Sequence, residues 1–412
     1  MEEAPLVQPH PTESVTPAVQ PPSVPPLEAG LGSTTVEQFV FTGAAREFFG
    51  IWIVNLFLSI ITLGIYSAWA TVRKKRYMYG HTWLAGANFE YHGDPIAILK
   101  GRVIAFLAFA AYSATNYFMP KLAIGLLLLL FLAAPWFIAR SMAFNALNSS
   151  YRNIRFRFLG STREVLAVIW PVGVFLGISF FMPKLDPATA AQPPTQFWVV
   201  VALQMLAGVA LYPYLIAGLR KLHVGRSAFG AAQFSIGASI GAFYKVYLKA
   251  FGLAVLLGMA WGGFVGLFAA LRSGLAGPEG DDIGTIASLV GALIAVGIVF
   301  GYFLLIAVLQ GFTTARIANL VFNSSRQSDQ LSFVSTQSAR RLAILYLTNM
   351  IAILLTAGLA VPWAVIRVMR YRASCLALQS SVSLDTFVGA AGTNVDATGQ
   401  EIGEFFNIDL SL

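Results

Sequence analysis

Asn55, Ser59 and Thr62 stand four and three residues apart, a spacing that puts an amide and two hydroxyls on one face of a helix. Asn349 and Thr356 repeat the pattern 294 positions on, and a glycine follows each set, Gly64 and Gly358. Neutral oxygens on one face could coordinate a cationic or neutral solute. They could also hydrogen-bond one helix to the next, which is the commoner use. A second group is cationic: Arg73, Arg76, Arg140, Arg316, Arg367 and Arg370 lie at the ends of apolar runs. A guanidinium there can hold a phosphate-bearing headgroup or other anion, or simply snorkel to the interface. The candidates are therefore Asn55, Thr62, Gly64, Asn349, Thr356 and Gly358 for solute binding or hinging, and the six arginines for anions or lipid headgroups.

No catalytic constellation accompanies them. The chain has no phosphate loop, nucleophile elbow, zincin helix or dinucleotide fingerprint. His81, Glu90, His92 and Asp94 share a loop, but their spacing fits no established metal motif. The single cysteine, Cys375, excludes an intramolecular disulfide and a multi-cysteine metal site. No enzymatic activity, cofactor or metal is expected.

The elements that must position the candidates are membrane elements. The chain is 57% hydrophobic and only 11% charged, against about a quarter charged in soluble domains. Six apolar runs approach the ~20 residues that cross a bilayer core: 103–119, 122–139, 165–182, 197–219, 251–271 and 286–310. None contains Asp, Glu, Lys or Arg, which argues against a carboxylate-based proton antiporter. Gly258, Gly262, Gly263 and Gly266 lie in the fifth and are expected to allow close helix contact. Residues 1–38 have neither a basic n-region nor an apolar h-region, and their prolines and glutamates predict a disordered acidic tail. The integral membrane domain is expected over 39–390, with a second tail at 391–412.

The net charge of +8 is unevenly placed. Arg73, Lys74, Lys75, Arg76, Arg140, Arg152, Arg155, Arg157, Arg220, Lys245, Arg316 and Arg340 are among those on one side of the six runs. Lys121, Lys184 and Arg272 are on the other. The positive-inside rule makes the basic side cytoplasmic; a basic patch for nucleic acid or anionic lipid is the lesser reading of the same charges, and no nucleic-acid partner is expected.

Residues 39–84 recur as 333–378 without a gap. Asn55, Thr62, Gly64, Trp69, Arg73, Arg76 and Tyr77 match Asn349, Thr356, Gly358, Trp363, Arg367, Arg370 and Tyr371. Each copy holds an apolar stretch, 48–70 and 342–364. Two topologies are open. A straight span in each copy would run the copies in opposite directions and put an arginine cluster of the second outside. A break at Thr-x-Gly makes each a hairpin with both ends cytoplasmic, and requires protein to bury the turn. Arg340 and Arg341 before copy two, with Arg367, Arg370 and Arg372 after it, favour the hairpin.

A shorter pattern recurs beside the basic helix ends: Phe39, Phe41, Gly43; Phe89, Tyr91, Gly93; Phe156, Phe158, Gly160. Weaker forms are Phe234 with Gly237, Phe333 with Ser335, and Phe387 with Gly389. Alternation closed by glycine predicts short strands that could pair into a small cytoplasmic sheet. Aromatics anchored at the headgroups are the alternative.

Residues 39–43 (FxFxG), 55–93 (N-x6-TLGIYSxWAxxRxxRY followed by TxLxGxxFxYxG) and 362–371 (PWAxxRxxRY) resemble the YjgN family of bacterial inner-membrane proteins, a family with a domain of unknown function. The resemblance covers roughly residues 37–390. Copy two departs from the pattern at Ala357 and at Val361–Pro362. The resemblance implies an inner-membrane location and supplies no activity, substrate or catalytic residue.

Together these readings predict an all-α polytopic membrane protein, with six clear transmembrane helices and two duplicated, broken segments. Short cytoplasmic strand-like elements join them. A transporter or channel for a small solute is the leading function. The alternative is a non-transporting scaffold or envelope-organising protein that recruits partners or anionic lipid through its basic face. Membrane lipid and a small-molecule solute are the expected partners; the sequence leaves the oligomeric state open.

Overall fold

The computed structural model describes residues 35–182, 193–274, 282–327, 330–385 and 388. Five modules of one design follow one another, each a strand, two antiparallel helices and a second strand. Module 1 is β1 (Thr35–Gln38) with β2 (Val40–Phe41), α1 (Ala45–Ile61), α2 (Ser67–Gly80) and β3 (Thr82–Leu84). Module 2 is β4 (Ala87–Tyr91), α3 (Pro95–Phe118), α4 (Pro120–Leu147) and β5 (Ser149–Tyr151). Module 3 is β6 (Ile154–Phe158), α5 (Thr162–Ile178), α6 (Thr195–Gly225) and β7 (Ser227–Phe229). Module 4 is β8 (Ala232–Ile236), α7 (Ile240–Gly274), α8 (Asp282–Asn323) and β9 (Ser325–Gln327). Module 5 is β10 (Leu331–Ser335), α9 (Ala339–Leu355), α10 (Val361–Ser374) and β11 (Leu376–Ser380).

The strands pair antiparallel in the order β1-β11-β10-β9-β8-β7-β6-β5-β4-β3-β2. β1 and β2 are one extended segment interrupted at Phe39, whose N–H donates to the Leu376 carbonyl at 3.0 Å. β1 pairs with β11 and β2 with β3, so the sheet closes on itself and leaves no free edge. The expectation of an all-α fold is thus corrected: the strand-like elements form a barrel that joins every module. Period-two alternation gives the barrel an inner and an outer face. Phe89, Phe156 and Phe234 face inward, while Glu90, Arg155 and Gln233 face solvent.

The aromatic-glycine pattern also has a local cause. A Cβ at Gly43 would stand 2.7 Å from the Phe41 ring, one at Gly93 would stand 2.5 Å from Tyr91, and one at Gly160 would collide with Phe158. The second aromatic folds over the backbone two residues on. Modules 4 and 5 have Ile236 and Ser335 at the aromatic position, with Ala238 and Gln337 where the glycine would be.

The helices form a ring in which each packs on its neighbours in sequence, and α10 packs on α1. Ala68, Pro135, Pro213, Gly311 and Pro362 occupy equivalent positions in the five return helices, and all are buried. Four residues later Val72, Ala139, Ala217, Ala315 and Ile366 are buried too, so one i, i+4 stripe seats each return helix. Gly258, Gly262, Gly263 and Gly266 do not take part: a Cβ at any of them meets nothing within 4 Å, contrary to the expected close contact.

Five helices, α3, α4, α6, α7 and α8, are long and apolar enough to cross a membrane. The sixth expected span, 165–182, is the 17-residue α5 continued by a 3-10 turn at Ser179–Phe181, and it is not one of the five. The last four residues of the segment expected as a tail, Thr35–Gln38, form the strand β1. Residues 1–34, 391–412 and the Phe387–Gly389 pattern lie outside the described residues.

Each duplicated segment is a helix pair broken at Thr-x-Gly, not a straight span. Thr62 Oγ1 donates to the Leu58 carbonyl at 2.8 Å and accepts from the Tyr66 N–H at 2.9 Å. Thr356 does the same with Ala352 at 2.7 Å and Ala360 at 2.9 Å. One hydroxyl so joins the end of one helix to the start of the next. Gly64 and Gly358 take φ of 91° and 95°, a left-handed conformation that favours glycine. The tips are apolar and bare: Leu63 is 94% exposed and Leu355 83%. Such tips suit hydrocarbon better than water.

Candidate functional site

Every helix pair leaves and rejoins the barrel, so the basic clusters gather around one end of the molecule. There the last turns of the return helices need partners for their free carbonyls. Thr82, Ser149, Ser227 and Ser325, each the first residue of the outgoing strand, donate to the carbonyls of Met78, Asn145, His223 and Val321 at 2.8, 2.7, 2.5 and 2.6 Å. These bonds fix where helix becomes strand, and therefore which side chains point to the axis.

On that axis lies a cavity of about 620 Å³. Phe39, Phe89, Phe156, Phe234 and Phe333, one from each module, line it as a ring of phenylalanines; Phe39–Phe89 and Phe234–Phe333 centroids are each 6.1 Å apart. Leu384 and Val388 line it from the segment after β11, which the Arg152–Asp385 ion pair ties to the β5–β6 turn. The lining is mostly apolar, with Tyr79, Thr82, Ser149, Tyr151 and Ser227 adding hydroxyls. Asn145, His223 and Arg372 reach it from the ends of α4, α6 and α10, and Gln327 and Gln337 from the barrel side.

Gln327 Nε2 is satisfied by the Ala232 carbonyl at 2.7 Å. The Oε1 of the buried Gln337 accepts no hydrogen bond from the described residues. Burial also raises the pKa of the phenol of Tyr151, which donates to the Leu84 carbonyl at 2.7 Å. The site therefore offers an apolar body, an orphan acceptor and one guanidinium, a combination that suits an amphipathic molecule.

The residues singled out from sequence lie elsewhere. Asn349 donates to the Ala364 carbonyl at 3.3 Å and accepts from Arg367 at 3.1 Å, locking α9 to α10. Asn55 is buried at the same place between α1 and α2, with its Oδ1 unpaired. Thr62, Gly64, Thr356 and Gly358 build the turns. Arg73, Arg140, Arg316 and Arg367 occupy one equivalent position in four return helices, each four residues after an aromatic. Arg140 stacks on Trp136 at 5.6 Å, Arg316 on Phe312 at 5.7 Å and Arg367 on Trp363 at 5.0 Å.

Arg370 donates to the Gly43 carbonyl at 3.2 Å and so ties module 5 to module 1. Arg76, its counterpart in α2, is exposed. None of these twelve residues lines the axial cavity. Sequence reasoning missed His223, Gln337 and the closure that gathers the five phenylalanines. Their alternation was the available signal.

Apolar helices on a closed barrel define a polytopic helical membrane protein. The chain belongs to a family described as bacterial protein of unknown function (DUF898), whose model matches residues 36–405. It is 25% identical over 336 residues to the inner membrane protein YjgN of Salmonella typhimurium, covering 79% of this chain and 84% of that one. It is 27% identical over 239 residues to inner membrane protein YjgN of Escherichia coli K12, covering 55% and 58% respectively. No solved structure matches the chain.

Proposed function

We propose that this protein sits in the bacterial inner membrane with its barrel and basic rim in the cytoplasm. There it binds a small apolar or amphipathic solute in the axial cavity and passes it along the axis. The observation that carries the reading is the cavity, to which all five modules contribute a phenylalanine. The lengths of the helices support it. α1 and α2 have 17 and 14 residues, as do α9 and α10, against 35 and 42 in α7 and α8. Because α1 packs on α10, the two short pairs are neighbours and form a low stretch of wall, through which a membrane-dissolved molecule could reach the axis. The relatives' name and the charge asymmetry support the location and orientation.

A second reading, a non-transporting scaffold that gathers anionic lipid or partners, draws on the aromatic–arginine pairs, which suit the headgroup layer.

The test is binding and flux. Purified protein in nanodiscs is titrated with a panel of fluorescent single-chain amphiphiles and apolar probes, and then assayed in liposomes. Saturable binding, weakened at least ~10-fold by filling the cavity with Ala146→Trp or Ala373→Trp, is expected. Folded protein that neither binds nor moves any of the panel would sink the transport reading. A stoichiometric crosslinked partner, lost on deleting residues 1–34, would then favour the scaffold.

A further inference from the structure

A smaller cavity of about 200 Å³ opens between α7 and α8, lined by Lys245, Val246, Lys249, Phe312 and Arg316. Three of its five lining side chains are cations and none is a carboxylate. Among the described residues no acidic group pairs with any of the three, and the contact Arg316 makes is with the Phe312 ring. Like charges around one cavity repel one another, and an anion between them turns that repulsion into attraction.

The other modules show that the cluster is particular to this one. At the positions of Lys245 and Lys249 the remaining outbound helices carry Gly50 and Val54, Lys100 and Ile104, Ala167 and Pro171, and Ile344 and Thr348. Elsewhere the equivalent arginine can be engaged inside the fold: Arg367 donates to Thr348 at 2.6 Å and to Asn349 at 3.1 Å.

The cluster's height in the membrane identifies the anion. α7 has 35 residues and is about 52 Å long, well beyond a ~30 Å core. Its apolar run begins at Phe251, so Lys249 stands just outside the hydrocarbon, and on the antiparallel α8 Arg316 stands six residues past the end of the run at Gln310. That is the level of lipid phosphates. Directly beside the cluster, Leu248 and Phe251, and Val255 a turn further in, are exposed on α7, an apolar track for acyl chains.

We propose that Lys245, Lys249 and Arg316 bind the phosphate of an anionic phospholipid in the groove between α7 and α8. The site is separate from the axial cavity and stands whether or not a solute is carried there.

The experiment is native mass spectrometry and titration of the full chain in neutral detergent, with phosphatidylglycerol, with phosphatidylcholine and with inorganic phosphate. Phosphatidylglycerol should be retained in preference to phosphatidylcholine. At ~1 kcal/mol per cation, each of Lys245→Gln, Lys249→Gln and Arg316→Gln should weaken it about fivefold, and the triple variant about 100-fold. Lys249→Arg should keep binding, and Arg272→Gln at the far end of α7 should leave it unchanged; unaltered thermal unfolding of the triple variant excludes a folding defect. Equal retention of both lipids, or a triple variant that binds like the parent, would overturn the proposal. Inorganic phosphate that binds with the same dependence on the three cations, without preference for the anionic lipid, would overturn its lipid half.

Discussion

Modules 1 and 5 share their barrel end with modules 2 to 4 and differ at the other. At the barrel, all five place a phenylalanine on the axis and bury the same two return-helix positions, and four cap the return helix with a serine or threonine. Away from it, modules 1 and 5 turn back at Thr-x-Gly after 17 residues, while α7 and α8 run to 35 and 42. The barrel end has to close a ring, and each contact there depends on its neighbour. The far end has only to meet lipid, so its length is free to vary and can be cut short wherever a threonine satisfies the broken backbone.

The tight barrel half is most sensitive where module 4 meets module 5. A Cβ at Gly311 would stand 2.5 Å from the Ala343 amide nitrogen and 2.7 Å from its Cα. Backbone cannot move aside as a side-chain tip can. Gly311→Val should therefore cost about 3 kcal/mol or prevent folding. Gly262→Ala, on the lipid-facing length of α7 where an added Cβ meets nothing within 4 Å, should cost no stability and can add up to about 1 kcal/mol, alanine being the better helix former. Denaturant unfolding in mild detergent measures both. Similar losses would mean that the far half of the helices is packed as tightly as the barrel end.

A smaller effect separates the modules by how they hold the start of the outbound helix. In modules 1 and 5 the return helix supplies a tyrosine: Tyr77 Oη accepts from the Ala44 N–H at 2.9 Å, and Tyr371 Oη from the Ser338 N–H at 2.8 Å. Module 2 uses a local cap, Asp94, which accepts from the Ile96 and Ala97 N–H groups at 3.0 and 3.2 Å. Tyr77→Phe and Tyr371→Phe should each cost about 1 to 2 kcal/mol, since each leaves a partly buried amide unpaired. Asp94→Ala should cost about 1 kcal/mol. Calorimetric unfolding ranks them, and a larger loss at Asp94 would reverse the proposed division.

Parts of this architecture were legible in the chain. The 294-residue offset identified modules 1 and 5 because their helices are equally short and no insertion breaks the alignment. Arg340 and Arg341 against Arg367 and Arg370 pointed to the hairpin. Modules 2 to 4 escaped because lipid asks only for apolarity, and their helices drift until only scattered identities survive, such as Pro135 with Pro213, Ala139 with Ala217 and Ala315, and Ser149 with Ser227 and Ser325.

The barrel was hidden for another reason. Its strands are two to five residues long, and closure depends on β1 meeting β11 across 345 positions, which no local pattern encodes. The candidate site suffered accordingly. Asn55, Thr62 and their mates read as a solute site because polar groups in apolar helices look functional. Thr62, Thr356 and Asn349 hydrogen-bond one helix to the next and Asn55 lies buried with its Oδ1 unpaired, while the axial cavity is ringed by phenylalanines that look structural.

Module 3 gives the smallest and most selective test. Its return helix also reaches back to the start of its outbound helix, but through charge: Arg226 Nε donates to Glu164 at 2.8 Å, and Glu164 accepts from the Ser161 N–H at 2.9 Å within a capping box. These contacts, the Ser161 amide first and then Arg226, hold the Glu164 carboxyl below its ordinary pKa. A carboxyl depressed on folding adds stability above the unfolded value of about 4.3, and that stability fades as pH falls through the folded value. Glu164→Gln should therefore melt below the parent at pH 7, and the gap should shrink once the pH drops below about 4. In module 1 Tyr77 also donates to the Glu47 carboxylate at 3.2 Å, but the Tyr371 clamp of module 5 has no carboxylate partner among the described residues, so the deficit of Tyr371→Phe should not change with pH. If both gaps respond to acid alike, the difference between a charged and a neutral clamp is not what distinguishes these modules.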